Sequence, residues 1–451
     1  MMPRKLDFML AKIRMHLNRS VDILPLALFR IAFGAVMFAS TLRFMLNGWI
    51  DALYIQPHFH FSYLGFEWVK PLDAAGMTAI FIATLILSLC IMLGFAYRVA
   101  VALFFIIFTY VELIDQATYL NHYYFVSLVS FLLNFLPAHR YLSLDARLRP
   151  KLKLRYVPAW CIYIPQLQLA IVYFFAGFAK LNEDWLLQGR PLAIWLKANT
   201  GAPLIGPLFD YDWIALLLSW AAAAYDLTIA VWLSWKRTRL VAYATVIVFH
   251  LFTALLFPIG VFPYVMIAST LIFFSGGELR NALQRFGMRL SPMPLRSFRP
   301  PIQMSRRAKL VLLLFFALQL TLPLRHYHYP GDANWTMEGY RFAWRVMLNE
   351  KAGFATFYLV DKTADHKQVL YGDQFLTPQQ LRHMSYQPDM ILQFAHFLAA
   401  QHPYFGQHEL AVYAEVYVAH NGAPSRLLVD PKRDLLAVSR DIFSADWILR
   451  Y

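Results

Sequence analysis

A chain of 451 residues that is 59% hydrophobic and only 15% charged, with a mean hydropathy of +0.46, has more apolar surface than a soluble core of that size can bury. This excludes an ordinary soluble protein and defines a polytopic membrane protein. The net charge of +14 would suit a nucleic-acid partner in a soluble chain, but here the basic residues sit in loops between apolar runs, where they orient spans and argue for no nucleic acid.

Apolar runs of spanning length, ~17–25 residues, occur nine times, at roughly 24–46, 77–94, 97–114, 122–137, 160–178, 213–234, 239–257, 260–275 and 308–323. The first is long enough to span and lacks a small-residue cleavage pattern, so no cleaved signal peptide is expected. Residues 47–76 are rich in aromatics (Trp49, Tyr54, Phe59, Phe61, Trp68) and read as a segment at headgroup level. The loop 179–212, with Trp185 and Trp195, is expected to dip to the same interface. Basic residues gather before the first run and after the second, fourth, sixth and eighth, as in Arg140 to Arg155 and Arg280 to Lys309. With nine spans all of these fall on one side. The positive-inside rule then places the N-terminus in the cytoplasm and the C-terminus outside.

After about residue 325 the spanning runs stop. FATFYLVD, QVLYG, LAVYAEVYVAH and RLLVD read as strands, with His420-Asn421-Gly422 as a turn, and residues 378–401 read as one or two helices. The expected fold is therefore a helical membrane domain over residues 1–324 and a small exoplasmic α+β domain over 325–451.

Ionisable residues within spans are functional candidates. Glu112 and Asp115 close the third run, Asn121 and His122 open the fourth, Lys180 closes the fifth, and His250 lies in the outer half of the seventh. Under the nine-span topology these share one depth, on the side of the C-terminal domain. Arg30 and Asp226 lie deeper and are expected to form a structural pair or helix-to-helix hydrogen bonds. Lys180 by itself reads as a snorkelling residue. Ala176 and Gly177 leave room beside it for a helix or ligand, Tyr173 shares that face, and Asn182, Glu183, Asp184 and Trp185 form a polar rim. The two cysteines, Cys90 and Cys161, make neither a disulfide framework nor a CxxC pair. His326 and His328 have no third ligand nearby in sequence, so no metal is expected. There is no HExxH, P-loop, GxSxG or GxGxxG in the required setting.

Four segments carry a family resemblance. LIDQATYLNHYYF, IVYFFAGFAKLNEDW, VFHLFTALLFPIGVFPYVMIAS and NWTMEGYRFAWRVM are similar, in order, to segments of the vitamin K-dependent gamma-glutamyl carboxylases, within the broader HTTM membrane-domain superfamily. The chain resembles a short, bacterial-type homologue: the cysteines that link the two parts in animal enzymes have no counterpart, and the outer segment is shorter.

The resemblance implies an enzyme that oxygenates a reduced naphthoquinone, vitamin K hydroquinone or menaquinol, to its epoxide with O2, and couples this to CO2 fixation on peptidyl glutamate. Lys180 would be the base that deprotonates the quinol and His122 its catalytic partner. Asn121, Tyr119, His250 and Tyr173 would line the quinol pocket. The γ-proton of glutamate is too weakly acidic for any side-chain base, so the protein need only deprotonate the quinol, for which a neutral amine shielded from water suffices. The partners would be the lipid bilayer, an isoprenoid naphthoquinone and a glutamate-containing peptide, in the inner membrane if the source is bacterial. Two other readings remain: a quinol oxygenase without glutamate carboxylation, and a non-enzymatic transporter or assembly protein on the same domain. A transporter would need a polar path to the cytoplasmic face.

Overall fold

The computed structural model describes residues 2–203, 205–288, 302–441 and 446–450. A first helix, α1 (Met2–Asn18), precedes a short strand β1 (Ser20–Asp22). The membrane domain then consists of α2 (Leu24–Leu46), α3 (Ala74–Leu93), α4 (Tyr97–Ile114), α5 (Asn121–Leu133), strand β2 (Tyr156–Pro158), α6 (Trp160–Ala179), α7 (Asp212–Ser234), α8 (Arg239–Leu256), α9 (Phe262–Thr270), α10 (Gly276–Arg285) and α11 (Arg306–Thr321). Local chemistry fixes several starts. Pro25 lies in the first turn of α2, Asp73 caps α3 by accepting from Gly76 N, and Ser275 with Glu278 forms a capping box on α10.

Among the described residues seven helices are long and apolar enough to cross a membrane, and an eighth is gained if α9 and α10, bent by 116° at their junction, count as one. The nine expected runs thus include two irregular ones. The fourth is only the 13-residue α5, about 20 Å long. The eighth ends in a 3-10 turn, after which α10 turns aside. Contacts nevertheless carry both from one end of the domain to the other. Tyr119, just before α5, accepts from Phe342 N of the C-terminal domain (2.9 Å), whereas Ala138, just after it, accepts from Arg30 near the start of α2 (3.2 Å). Likewise α9 begins beside His122 and His250, and α10 reaches the opposite end, where Arg280 forks onto Asp22 (2.9 Å). Of the basic residues expected there, Arg289, Arg296 and Arg299 lie outside the described residues.

At that basic end Arg30 is fully buried. It is not paired with Asp226. Its guanidinium donates to the carbonyls of Ile91 and Met92 (2.6 Å each), Leu142 (2.5 Å) and Ala138. Two of these are carbonyls of the last turn of α3, where the regular helical ladder runs out; Ile91 O also accepts from the capping Gly94 N–H (3.1 Å). Gly94 follows with φ +63°, and a Cβ there would lie 2.4 Å from Ser143 Cβ, so the position requires glycine.

The C-terminal domain is an antiparallel sheet in the order β4 (His366–Tyr371), β3 (Lys351–Asp361), β5 (Leu410–His420), β6 (Arg426–Leu427), with α13 (Pro388–Ala400) packed on β3 and β5 and α12 (Pro378–Met384) against α13. Alternation reads directly in β3, where Ala355, Phe357 and Leu359 are buried between more exposed neighbours. Asn421 and Gly422, both with positive φ, turn β5 into β6. Phe61 and Ala117, from two loops of the membrane domain, lie in this core. The loop 47–76 is thus not simply interfacial: Phe61 and Tyr63 are buried while Trp68 is exposed. Gln380 donates to Asp115 (2.8 Å) and to Phe59 O (2.6 Å), and Asn421 donates to Asp184 (2.8 Å), so the two parts are joined by buried and half-buried hydrogen bonds as well as by apolar packing.

Candidate active site

Lys180 caps the C-terminus of α6, its own N–H bonded to Gly177 O. Its side chain folds back instead of snorkelling outward and is only 5% exposed, with Nζ donating to Ala176 O at 3.2 Å. Unpaired carbonyls at a helix C-terminus favour a cation there. The partner helix α7 approaches closely because residue 177 is glycine: a Cβ at that position would lie 2.8 Å from Leu227 N and 3.0 Å from Asp226 Cβ. This approach brings Asp226 Oδ2 to 2.8 Å from Lys180 Nζ. Trp185 closes the other side, its ring centroid 5.3 Å from Nζ and its indole N–H bonded to Ser219 O (2.7 Å). Trp185 is therefore buried rather than interfacial.

Beyond the pair lies a cavity of about 420 Å³ walled mainly by apolar and aromatic side chains of α6, α7, α8 and α9. Its polar groups are few and convergent. Tyr173 OH and His250 Nε2 are 3.3 Å apart, and Tyr225 OH donates to Tyr173 OH (3.4 Å). His250 Nδ1 is buried and has no partner among the described residues. His122 does not line this cavity. It packs against Phe262 (centroids 5.9 Å apart), whose ring in turn contacts His250 at 5.5 Å. The expected group thus divides: Lys180, His250 and Tyr173 share one chamber, His122 stands one ring behind it, and Asp226, which the sequence placed deeper than the group, joins it.

Asn121 and Tyr119 open instead on a second, polar cavity of about 210 Å³ between the two domains. They bond to each other, Tyr119 OH donating to Asn121 Oδ1 (3.1 Å). This chamber is lined by Arg341, Arg345, Lys351 and Arg382 against one acidic residue, Glu350, whose carboxylate accepts from Trp195 Nε1. Met347 lines both chambers. The segment that carries it holds Met337, Phe342, Trp344 and Met347 at φ between 56° and 61°. Left-handed non-glycine residues cost about 1–3 kcal/mol each and concentrate at functional sites. Sequence reasoning missed these cations because no one period joins them: Arg341 and Arg345 lie in irregular chain, whereas Lys351 opens β3 and Arg382 lies in α12; the one signal, for the first two alone, was the density of arginine beside aromatics in NWTMEGYRFAWRVM. Among the described residues no group of His, Cys, Asp or Glu is placed to hold a metal.

A helical membrane domain with a buried lysine and aspartate beneath a small α+β cap is the architecture to be placed. Residues 18–276, more than half of the chain, match the HTTM domain, and the chain belongs to that family of membrane proteins. Residues 304–451 match the lumenal domain of vitamin K-dependent gamma-carboxylase, and with both parts in order the chain is a member of the gamma-carboxylase family. The second match begins at 304, ahead of α11. No solved structure matches the chain.

Proposed function

We propose that the protein oxygenates a reduced isoprenoid naphthoquinone to its epoxide and couples this to carboxylation of peptidyl glutamate, with the C-terminal domain on the exoplasmic side. The observation that carries this reading is the buried Lys180–Asp226 pair at the wall of an apolar chamber inside the membrane domain.

The chamber suits a quinol head group. Its volume falls in the ~300–1,000 Å³ range of small-molecule sites, and apolar walls with few convergent polar groups fit a flat aromatic diol. When bound, the quinol reacting with O2 supplies the strong base that glutamate requires. The chain's residues have simpler tasks. Lys180 Nζ accepts a proton from the quinol hydroxyl, and Asp226 holds the proton Nζ must first give up. The pair has zero net charge whichever partner carries that proton, so the exchange adds no charge to a dry cavity. Tyr173 and His250 hold the second quinol oxygen, and His250 Nδ1, with no partner, is free for a ligand. Trp185 and Phe262 exclude water. On the far side of Met347, Arg341, Arg345 and Arg382 give a carboxylate-binding wall for the glutamate side chain.

Purified protein would be given a reduced naphthoquinone, O2, labelled CO2 and a glutamate peptide, with epoxide and fixed label measured separately. Both should appear. Epoxide without label would reduce the function to quinol oxygenation, and neither, from folded protein, would overturn the reading.

A further inference from the structure

The mechanism above leaves one buried amine unused. Lys351 opens β3 and is 6% exposed, yet no carboxylate lies within ion-pair distance of its Nζ among the described residues. Nζ donates instead to Trp335 O at 2.6 Å, and lies 5.7 Å from the Trp335 ring centroid and 6.0 Å from that of Tyr386. Burial pulls its pKa down to about 7, with Asp332 acting weakly the other way. An appreciable share of Lys351 is therefore the free amine near neutral pH, whereas an exposed lysine, with a pKa of ~10.4, is almost wholly ammonium.

The second feature is the surroundings. Lys351 lines the interdomain chamber with Arg341, Arg345 and Arg382. Arg345 is itself buried. It gives one Nη to Asn334 Oδ1 (2.8 Å), and its Nε–H has no acceptor among the described residues. A buried guanidinium donor without an acceptor is costly, and it points to an anion that the protein alone does not supply.

We propose that Lys351 captures CO2 as a carbamate, held by the arginines of this chamber. The Nζ lone pair attacks the carbon of CO2 and forms one N–C bond. One C=O electron pair moves to oxygen, and an Nζ proton leaves to solvent. The products are a carbamate anion and one proton, with no change of oxidation state. The remaining N–H still bonds to Trp335 O, and the new carboxylate is the acceptor that Arg345 lacks. Release reverses the step: the proton returns, the N–C bond breaks, and CO2 is freed in the chamber. The capture does not depend on quinol chemistry. Its use as a local CO2 store rests on the function proposed above.

The test uses the full chain in detergent, equilibrated with 13C-labelled bicarbonate and CO2, alkylated with triethyloxonium to fix carbamates as ethyl esters, digested and mapped by mass spectrometry. No quinol is present, so the result is independent of whether the carboxylation reading holds. Labelled ethyl carbamate on Lys351 should exceed that on the exposed Lys367 and Lys432 at least about tenfold. Arg345→Gln, which removes a charged hydrogen-bond donor, should lower the Lys351 signal about tenfold. Lys351→Arg provides the blank. Folded wild-type protein with no label on Lys351, or no more than on the exposed lysines, overturns the proposal, as does full labelling of Lys351 in folded Arg345→Gln.

Discussion

Two roles for Lys180 differ in what arginine can replace. An anchoring lysine contributes charge and an alkyl stem, both of which arginine supplies. A general base must give up its proton, which arginine does not do in proteins. Lys180→Arg and Lys180→Ala are both expected to lower quinol epoxidation by ~10²–10⁴-fold in folded, membrane-inserted protein, and near-native turnover by Lys180→Arg would end the base assignment. Asp226 gives a sharper test, since the pair is buried on both sides. Asp226→Asn leaves an ammonium without its carboxylate, which typically costs ~3–5 kcal/mol, and should lower both thermal stability and epoxidation. Combining it with Lys180→Met removes both charges. The double variant should regain most of the stability and none of the activity. If it regains both, the pair is structural only.

At the scale of elements, the same site rests on the contact between α6 and α7. Gly177→Ala introduces a Cβ less than 3 Å from the backbone of Leu227, which only helix separation relieves. Overpacking of this kind costs ~1–3 kcal/mol. Gly177→Ala should lower the melting temperature and reduce epoxidation, whereas Gly277→Ala, where a Cβ meets nothing within 4 Å, should change neither.

Elements also show what the sequence conveyed. Apolar length located α2, α3, α4, α6, α7, α8 and α11, and alternation located β3, β4 and β5, because each of these signals is a local consequence of burial. The shortness of α5 and the turn between α9 and α10 were not visible, because they depend on neighbours that hold the ends in place. The Lys180–Asp226 pair was missed for a different reason. Asp226 lies 14 residues into α7, about 21 Å along its axis, and counting spans assigns depth to Cα atoms. Lys180 folds its side chain back along α6, so its amine sits deeper than its Cα. Lys180, His250 and Tyr173 could be grouped from outward-facing span ends, but His122 could not be told from a cavity residue without knowing that Phe262 stands between.

Over the whole molecule, the basic end and the capped end are opposite. Single cysteines at Arg147 and Ser425, both exposed, in a background with Cys90 and Cys161 replaced, should react with an impermeant reagent from opposite faces, Ser425→Cys from outside. Labelling of both from one face would rule out the odd number of crossings. It would also remove the common depth on which the sequence-level grouping of site residues was founded.

Phe61 and Ala117 belong by position to the HTTM match, yet their side chains complete the core of the cap. The borders of the two matched families are therefore not the borders of cooperative folding. During synthesis the first of these residues waits for partners nearly 300 positions downstream, such as Ala355 and Phe357, about 15–60 s at ordinary elongation rates. For that interval Phe61 is a fully apolar side chain without its core, and the nascent membrane domain is a template still missing its lid. A cap expressed alone would lack two of its own interior residues, and a membrane domain expressed alone would display them.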